Sequence, residues 1–140
     1  GFSNASVQAR ATMLREDLRI LRAQVRTFRL HHDGCAPGYP GCDPTGEPTE
    51  KAFFEHMTMA TTADGDVAKP GTDGYDYGPY LAQMPVNPVN DRASVQIVPD
   101  AGPVPEPGDD SHGRIYHAAT TTLKADAIGA DPDGTPYIEY

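Results

Sequence analysis

The sequence predicts an α+β fold in which a long N-terminal α-helix packs on a small antiparallel β-sheet, with a loop-rich region between them. Three observations support this fold class. Apolar residues recur every three or four positions near the start of the chain, Gly and Pro number 14 each among 140 residues, and the C-terminal third contains short alternating segments. The length is typical of a single domain, which we expect to span residues 1–140.

The helix is predicted over residues 5–32, because one face of that segment is apolar at helical spacing. Its apolar positions alternate in steps of four and three: Val7, Ala11, Leu14, Leu18, Leu21, Val25 and Phe28. No Pro or Gly interrupts the segment, and Asp33 and Gly34 provide its end. A helix of about 26 residues is roughly 39 Å long, more than so small a body is expected to cover. We therefore expect its C-terminal half to pack on the sheet and the rest of the face to contact neighbouring helices.

The predicted loop-rich region comprises residues 33–93. Turn-forming residues dominate its first part, residues 51–59 have the pattern of a short helix, and Gly and Asp are frequent in residues 60–79. Pro85 and Pro88 then disfavour regular strand pairing and predict an irregular crossing of the chain.

The predicted sheet lies in residues 94–140. Residues 94–98 alternate in polarity and are followed by a loop rich in Pro, Gly and Asp, residues 99–113. The segments 114–119 and 122–127 then flank a short turn, which is typical of an antiparallel hairpin. The tail, residues 136–140, is a candidate for a further edge strand.

The two cysteines, Cys35 and Cys42, lie seven positions apart in a loop rich in Gly and Pro. Cysteines so close together in a turn-forming segment predict a disulfide, and with it a location outside the cytoplasm. Two free thiols are the alternative. A metal site that also uses His31 and His32 is disfavoured, because no Cys-x2-Cys pair anchors it.

The net charge of −9 is unevenly distributed along the chain. Residues 1–32 carry six Arg against two acidic residues, a net charge of +4, whereas residues 33–140 carry five Lys and Arg against eighteen Asp and Glu, a net charge of −13. The acidic body disfavours a nucleic-acid partner, and no segment reaches the ~18–20 apolar residues of a membrane span.

Five arginines form a stripe beside the apolar face of the helix, each following an apolar residue by one position: Arg15, Arg19, Arg22, Arg26 and Arg29. Such a stripe is either a solvated flank of the helix or a basic surface that meets an acidic neighbour. A basic arm on an acidic body favours head-to-tail association.

No catalytic motif is present, so we expect a protein that is not an enzyme. The serines lack a Gly-x-Ser-x-Gly setting, and the sequence has no His-Glu-x-x-His and no phosphate-binding Gly-rich loop. Asp126, Asp131 and Asp133, interleaved with Gly and Pro, are candidate ligands for Ca²⁺, which binds carboxylate and carbonyl oxygens. The alternative is an Asp/Gly turn without a metal ion.

Three short motifs carry a resemblance to a known family. A Gly-Tyr-Pro turn at residues 38–40 follows the helix, Gly-Pro-Tyr-Leu occupies residues 78–81, and Met-Pro-Val-Asn-Pro at residues 84–88 precedes the predicted sheet. With the long helix and the Asp/Gly-rich end, these motifs resemble the soluble domain of type IV pilin-like proteins, and most closely the major pseudopilin of type II secretion systems.

The resemblance implies a structural subunit of a secretion pseudopilus or pilus-like filament, which self-associates and works with other pseudopilins and the secretion machinery. It implies an apolar half-helix upstream of this sequence that anchors the protein in the inner membrane. The globular domain would then lie in the periplasm or in an extracellular filament. Members of the family hold calcium in the C-terminal loop, which points to the same three aspartates as candidate calcium ligands.

The resemblance also places the assembly interface on the helix, at Leu14, Arg15, Leu18, Arg19, Arg22 and Arg26. The alternative function is an extracytoplasmic adhesin or ligand-binding module that uses the helix as a stalk, which would require a concave pocket with converging polar groups.

Overall fold

The structure, a computed structural model, describes residues 4–98, 103 and 108–140. Within these residues the chain forms two α-helices, five short strands and two 3₁₀ turns. The helices are α1 (Asn4–His31) and α2 (Glu50–Thr58), and the 3₁₀ turns are Pro40–Cys42 and Tyr137–Glu139. The strands are β1 (Ala60–Thr61), β2 (Val67–Ala68), β3 (Val95–Val98), β4 (Arg114–His117) and β5 (Thr122–Ala125). The predicted α+β fold class, with a long N-terminal helix on a small sheet, is confirmed.

The larger sheet of the described residues has the order β3-β4-β5. β4 and β5 form the predicted antiparallel hairpin, with Tyr116 opposite Leu123. β3, in contrast, pairs with β4 in parallel, with Ile97 beside Tyr116. Parallel neighbours need a connection of roughly a dozen residues or more, and the acidic segment between β3 and β4 is long enough to provide it. Part of that segment, residues 99–102 and 104–107, lies outside the described residues.

α1 is buried along one face from Ala11 to Phe28, so the expectation that the body covers only its C-terminal half is wrong. All six apolar positions on that face are at most 2 % exposed: Ala11, Leu14, Leu18, Leu21, Val25 and Phe28. The N-terminal half is covered because the chain after β5 folds back along it, bringing Ala127 and Tyr137 against Leu14 and Leu18. The predicted packing of the C-terminal half is confirmed.

Two clusters of buried side chains line α1 in the described part of the chain. The upper core contains Leu21, Val25, Phe28, Tyr39, Phe53, Met57, Leu81, Met84, Val95, Tyr116, Ala118 and Leu123. The lower core contains Ala11, Leu14, Leu18, Ala125, Ala127 and Tyr137. The upper core draws on both helices and the sheet, whereas the lower core joins α1 to the end of β5 and the C-terminal segment.

The Gly-Pro-Tyr-Leu motif at residues 78–81 connects the end of α2 to the upper core. The main-chain N–H groups of Tyr80 and Leu81 both donate to the carbonyl of Met57, at 3.0 and 2.9 Å. The Leu81 side chain is buried in the upper core, and the Tyr80 hydroxyl lies 2.7 Å from Nδ1 of His31. The motif therefore fastens α2 to the C-terminal end of α1.

The tail does not form the edge strand that was expected from residues 136–140. Residues Tyr137–Glu139 form a 3₁₀ turn, and Pro136 makes only an isolated bridge with Ala130. The aromatic ring of Tyr137 is buried in the lower core, and the 3₁₀ turn places it there.

Candidate functional site

Cys35 and Cys42 are bonded, as the sequence predicted, with their Cα atoms 5.8 Å apart. Both side chains pack against the upper core. Gly65 lies directly over this bridge, and a Cβ atom on Gly65 would approach Sγ of Cys42 to 2.7 Å. Because Gly65 also has a positive φ of 85°, any other residue there would be strained as well as crowded. The disulfide thus closes the loop after α1, and the segment between β1 and β2 packs against it at Gly65.

Two buried histidines stabilise the same end of α1. His32 donates from Nδ1 to the carbonyl of Phe28 at 2.6 Å, and its Nε2 accepts from the Thr61 hydroxyl at 2.7 Å. His56 accepts at Nδ1 from the N–H of Gly38 at 3.0 Å. Burial lowers the pKa of His56 to about 4 and also lowers the pKa of His32. Both rings are therefore neutral at pH 7 and serve as hydrogen-bonding core residues.

Asp131 joins the C-terminal loop to α1. Its Oδ1 accepts from the main-chain N–H groups of Asp133 and Thr135, at 2.9 and 3.0 Å. Its Oδ2 accepts from Nη2 of Arg15 at 3.1 Å and from the hydroxyl of Tyr140 at 2.5 Å. The hydrogen bond from Tyr140, followed by the main-chain donors and the charge of Arg15, holds the pKa of Asp131 below its usual value. We call Asp131, Arg15 and Tyr140 the Asp131 clasp.

Asp126 fastens a different loop. It is fully buried, and its Oδ1 accepts from the N–H of Asp109 at 2.7 Å. Its Oδ2 accepts from the hydroxyl of Ser111 at 3.1 Å and from the N–H of His112 at 2.9 Å. The Asp126 carboxylate therefore holds residues 109–112, at the end of the connection between β3 and β4, against the end of β5.

The three predicted calcium ligands occupy three different environments. Asp126 and Asp131 direct all four carboxylate oxygens at N–H and O–H donors of the chain, while Asp133 is exposed. Donors of this kind stabilise a carboxylate without a metal ion. Within the described residues, no group of three or more His, Cys, Asp or Glu side chains is arranged to hold a metal ion. Calcium binding stays a prediction from the sequence.

The predicted assembly interface on α1 separates into buried and accessible residues. Leu14 and Leu18 are fully buried in the lower core, so they offer no surface to a neighbouring subunit in this fold. This corrects the expectation for both leucines, and the reason is the return of the C-terminal segment along α1. Arg15 belongs to the Asp131 clasp, with its guanidinium 4.2 Å from the centroid of the Tyr140 ring.

The remaining three predicted interface residues are arginines with different surroundings. Arg19 is exposed and pairs with Glu16, one turn earlier on α1, at 2.6 Å. Arg22 is half-buried, and its Nη2 donates to the main-chain oxygens of Leu123 and Tyr140 at 2.7 and 2.8 Å. Arg26 is exposed.

Sequence reasoning missed Arg114, a fully buried arginine at the start of β4. Its Nη1 donates to the carbonyl of Pro85, and its Nη2 lies 3.8 Å from Oδ2 of Asp17 on α1. Burial lowers the pKa of Arg114 to about 10 and raises the pKa of Asp17, so desolvation opposes the charge on both partners. An arginine at a strand end has no sequence signal that separates this burial from ordinary exposure.

No family model, curated protein or solved structure matches the chain, so the resemblance to pilin-like proteins rests on the motifs alone. In the described part of the chain, neither helix combines the length and the apolar character that crossing a bilayer requires.

Proposed function

We propose that the chain is a structural subunit of a type II secretion pseudopilus or a type IV pilus-like filament. The observation that carries this proposal is the continuation of α1 on the N-terminal side of its fully buried face. Its first fully buried residue is Ala11, yet the helix already begins at Asn4, so about 10 Å of helix precedes the buried face. A helix that leaves a compact body in this way suits a subunit whose helix continues into a filament and a membrane anchor.

The motifs that carry the family resemblance have definite structural roles, which supports the proposal. Residues 78–81 join α2 to α1, as described above. Asn87, in the Met-Pro-Val-Asn-Pro motif, is fully buried and donates from Nδ2 to the carbonyl of Gly113 at 3.0 Å. These residues therefore connect α2 to α1 and hold the Met-Pro-Val-Asn-Pro segment to the residue before β4.

The location that we propose is extracytoplasmic, with an inner-membrane anchor supplied by sequence upstream of α1. The bonded pair Cys35 and Cys42 supports this location, because disulfides persist mainly in oxidising compartments. Other pseudopilins and the secretion machinery are the proposed partners, together with further copies of this chain.

The experiment that tests the function uses the complete gene product in its own cells. We expect an apolar segment of about 20 residues upstream of Val7, following a short basic leader, and surface filaments that contain the protein. Filaments should disappear when that segment is deleted, whereas a control strain that expresses the intact gene should retain them. Absence of both the segment and the filaments would reject the proposal.

One observation favours the alternative of a ligand-binding module. A cavity of about 530 Å³ lies beside the disulfide and is lined in part by Arg29, Asp33, Tyr39 and Asp64. Converging polar groups in a concave site are what a small-ligand module requires. A gene product without an upstream apolar segment, together with saturable binding of a small polar ligand that is lost in Arg29→Ala, would favour this alternative over a filament.

A further inference from the structure

The basic residues along α1 and β5 differ in whether they have an acidic partner. Arg15 and Arg19, in the first half of α1, form ion pairs with Asp131 and Glu16 at 3.1 and 2.6 Å. Four other cations have no ion pair with an Asp or Glu side chain of the described residues: Arg22, Arg26, Arg29 and Lys124. The second half of the arginine stripe therefore lacks direct ion pairs within the described residues, although Asp33 lies near Arg26 and Arg29 in a neighbouring cavity.

These four cations line one cleft of about 450 Å³, which we call the basic cleft. Its other lining residues are Val25, Thr121, Thr122 and Leu123, so no carboxylate among the described residues lines it. Two guanidinium groups are already positioned there. Arg22 bonds the main-chain oxygens of Leu123 and Tyr140, and Nε of Arg29 donates to the carbonyl of Gly34 at 3.3 Å.

The position of Arg22 makes an external anion favourable. Its side chain is half-buried, and this burial lowers the pKa of Arg22. Neither oxygen that it bonds belongs to a side-chain carboxylate. A cation partly removed from water gains more from an opposite charge than one on an open surface.

The complementary surface on the same chain is the segment that follows β1, residues 62–76, which includes β2. We call this segment the acidic loop. Its exposed charged residues are Asp64, Asp66, Lys69, Asp73 and Asp76. None of these aspartates forms an ion pair with a cation of the described residues. The loop therefore carries a net charge of −3 without an ion pair, although Asp64 lines a cavity that also contains Arg29.

A short loop fits the basic cleft better than a long polyanion does. Without the four cations of the cleft, the chain has seven Lys and Arg against twenty Asp and Glu. A nucleic acid or an anionic membrane that reached beyond the cleft would meet this strongly acidic remainder and be repelled. A loop that occupies only the cleft avoids that repulsion.

We propose that the basic cleft of one copy binds the acidic loop of a second copy. This inference rests on the proposed filament function and names the surfaces through which the subunits contact each other. Because the two surfaces differ, a bound pair still presents one free cleft, on one copy, and one free loop, on the other. Such a heterologous contact generates an open chain of subunits, as a filament requires.

The test measures self-association of the 140-residue chain by sedimentation velocity at about 0.01 M and about 1 M salt. We expect concentration-dependent association of the wild type at low salt and its loss at high salt. The cleft variant Arg26→Glu/Lys124→Glu should weaken association at least about tenfold, and so should the loop variant Asp73→Lys/Asp76→Lys. An equimolar mixture of the two variants should associate again, because the loop of the first meets the cleft of the second.

The matched control is Lys51→Glu/Arg92→Glu, which has the same net charge as the cleft variant but leaves the basic cleft and the predicted helix interface intact. Its association should stay within about twofold of the wild type, and the melting temperatures of all variants are measured to confirm folding. Equal weakening by the control and by the cleft variant would overturn the proposal. Binding of the wild type to heparin or to phosphatidylglycerol vesicles without self-association would also overturn it.

Filament assays in cells separate this inference from the proposed function. If the wild-type gene forms filaments and the cleft variant forms them equally well, the cleft–loop contact is wrong while the filament function stands. If the wild-type gene forms no filaments, the proposed function fails, and the sedimentation results still decide whether the two surfaces bind each other.

Discussion

The upper core holds α1 with twelve buried side chains from both helices and the sheet, and the disulfide closes the loop beside it. The lower core has only six buried side chains, and there the Asp131 clasp adds an ion pair and three hydrogen bonds. The comparison indicates that a region with little apolar surface to bury is stabilised by a fully satisfied carboxylate instead. The two ends of α1 should therefore respond differently to mutation, pH and metal ions.

The largest effect is expected from removing an aromatic ring of the upper core. Phe28 is fully buried, and its ring stacks on His32 with centroids 3.7 Å apart. Phe28→Ala should lower the free energy of unfolding by about 3–5 kcal/mol, through lost apolar burial and the cavity that remains. Urea unfolding at pH 7 measures this change. The control Leu30→Ala, at a position 83 % exposed, should change it by less than about 0.5 kcal/mol.

As the pH falls, the protein should lose the stability that depends on its neutral, buried histidines before it loses the stability that depends on Asp131. The pKa of His56 is lowered from 6.5 to about 4, so between these values the unfolded chain binds a proton that the folded chain does not. The free energy of unfolding should therefore fall by about 3 kcal/mol as the pH drops through that window, with His32 adding in the same direction. Asp131 has a lowered pKa, so its contribution is lost only as the pH falls below about 3.8.

Urea unfolding between pH 7 and pH 4 tests this order. In His56→Asn, which keeps an acceptor for the N–H of Gly38, most of the slope should vanish. The matched control His31→Asn replaces an exposed histidine and should keep the wild-type slope. A wild-type stability that does not change over this range would contradict the assignment of neutral, buried histidines.

Loss of the disulfide should have the next largest effect at the upper end. For so small a ring, the entropy of loop closure in the unfolded chain predicts a loss of about 2.5 kcal/mol in Cys35→Ser/Cys42→Ser. Thermal unfolding of the oxidised and reduced wild type gives the same comparison without mutation. A thiol titration of the unfolded, unreduced protein should find no free sulfhydryl, and two free thiols would contradict both the bond and the proposed location.

At the lower end, Asp131→Ala should lower the melting temperature and increase the hydrogen exchange of the Thr135 amide, because four donors lose their acceptor. Asp133→Ala is the matched control, since Asp133 lies in the same loop and is exposed. It should leave both measurements nearly unchanged. Similar losses in the two variants would show that the general charge of the loop, and not the Asp131 clasp, holds it to α1.

Calcium should have the smallest effect. At about 1 mM free ion, a site with the affinity typical of extracellular modules adds about 0.4–1.4 kcal/mol. The donors that already bond Asp126 and Asp131 compete with the ion, so we expect the gain to lie near the lower limit. Melting with calcium and with a chelator measures it. A much larger gain would mean that an ion reorganises the loop.

Local patterns in the sequence predicted local structure well. Four features that depend on neighbours a few positions away were predicted. They are the apolar spacing along α1, the end of that helix at Asp33 and Gly34, the short helix near residues 51–59 and the hairpin around residues 114–127. The spacing of Cys35 and Cys42 is local in the same sense, because a short turn alone brings the two thiols together.

Contacts between distant residues were not predictable in this way. The estimate that the body could not cover the N-terminal half of α1 used helix length and composition, and neither shows that the C-terminal segment returns along α1. The parallel placement of β3 beside β4 likewise depends on the path of a long connection, whereas alternation in the strand is the same for either direction.

The sequence by itself determined which face of α1 is apolar, where α1 ends, and that its flank is basic, because periodicity and composition act within a few residues. Only the tertiary structure decided which of those charges are neutralised. Arg15 meets Asp131 across 116 positions and Arg114 is buried beside Asp17, while Arg22, Arg26 and Arg29 line a cleft without a carboxylate. The physical reason is that an ion pair depends on distances of a few ångströms, which the folded path of the whole chain sets.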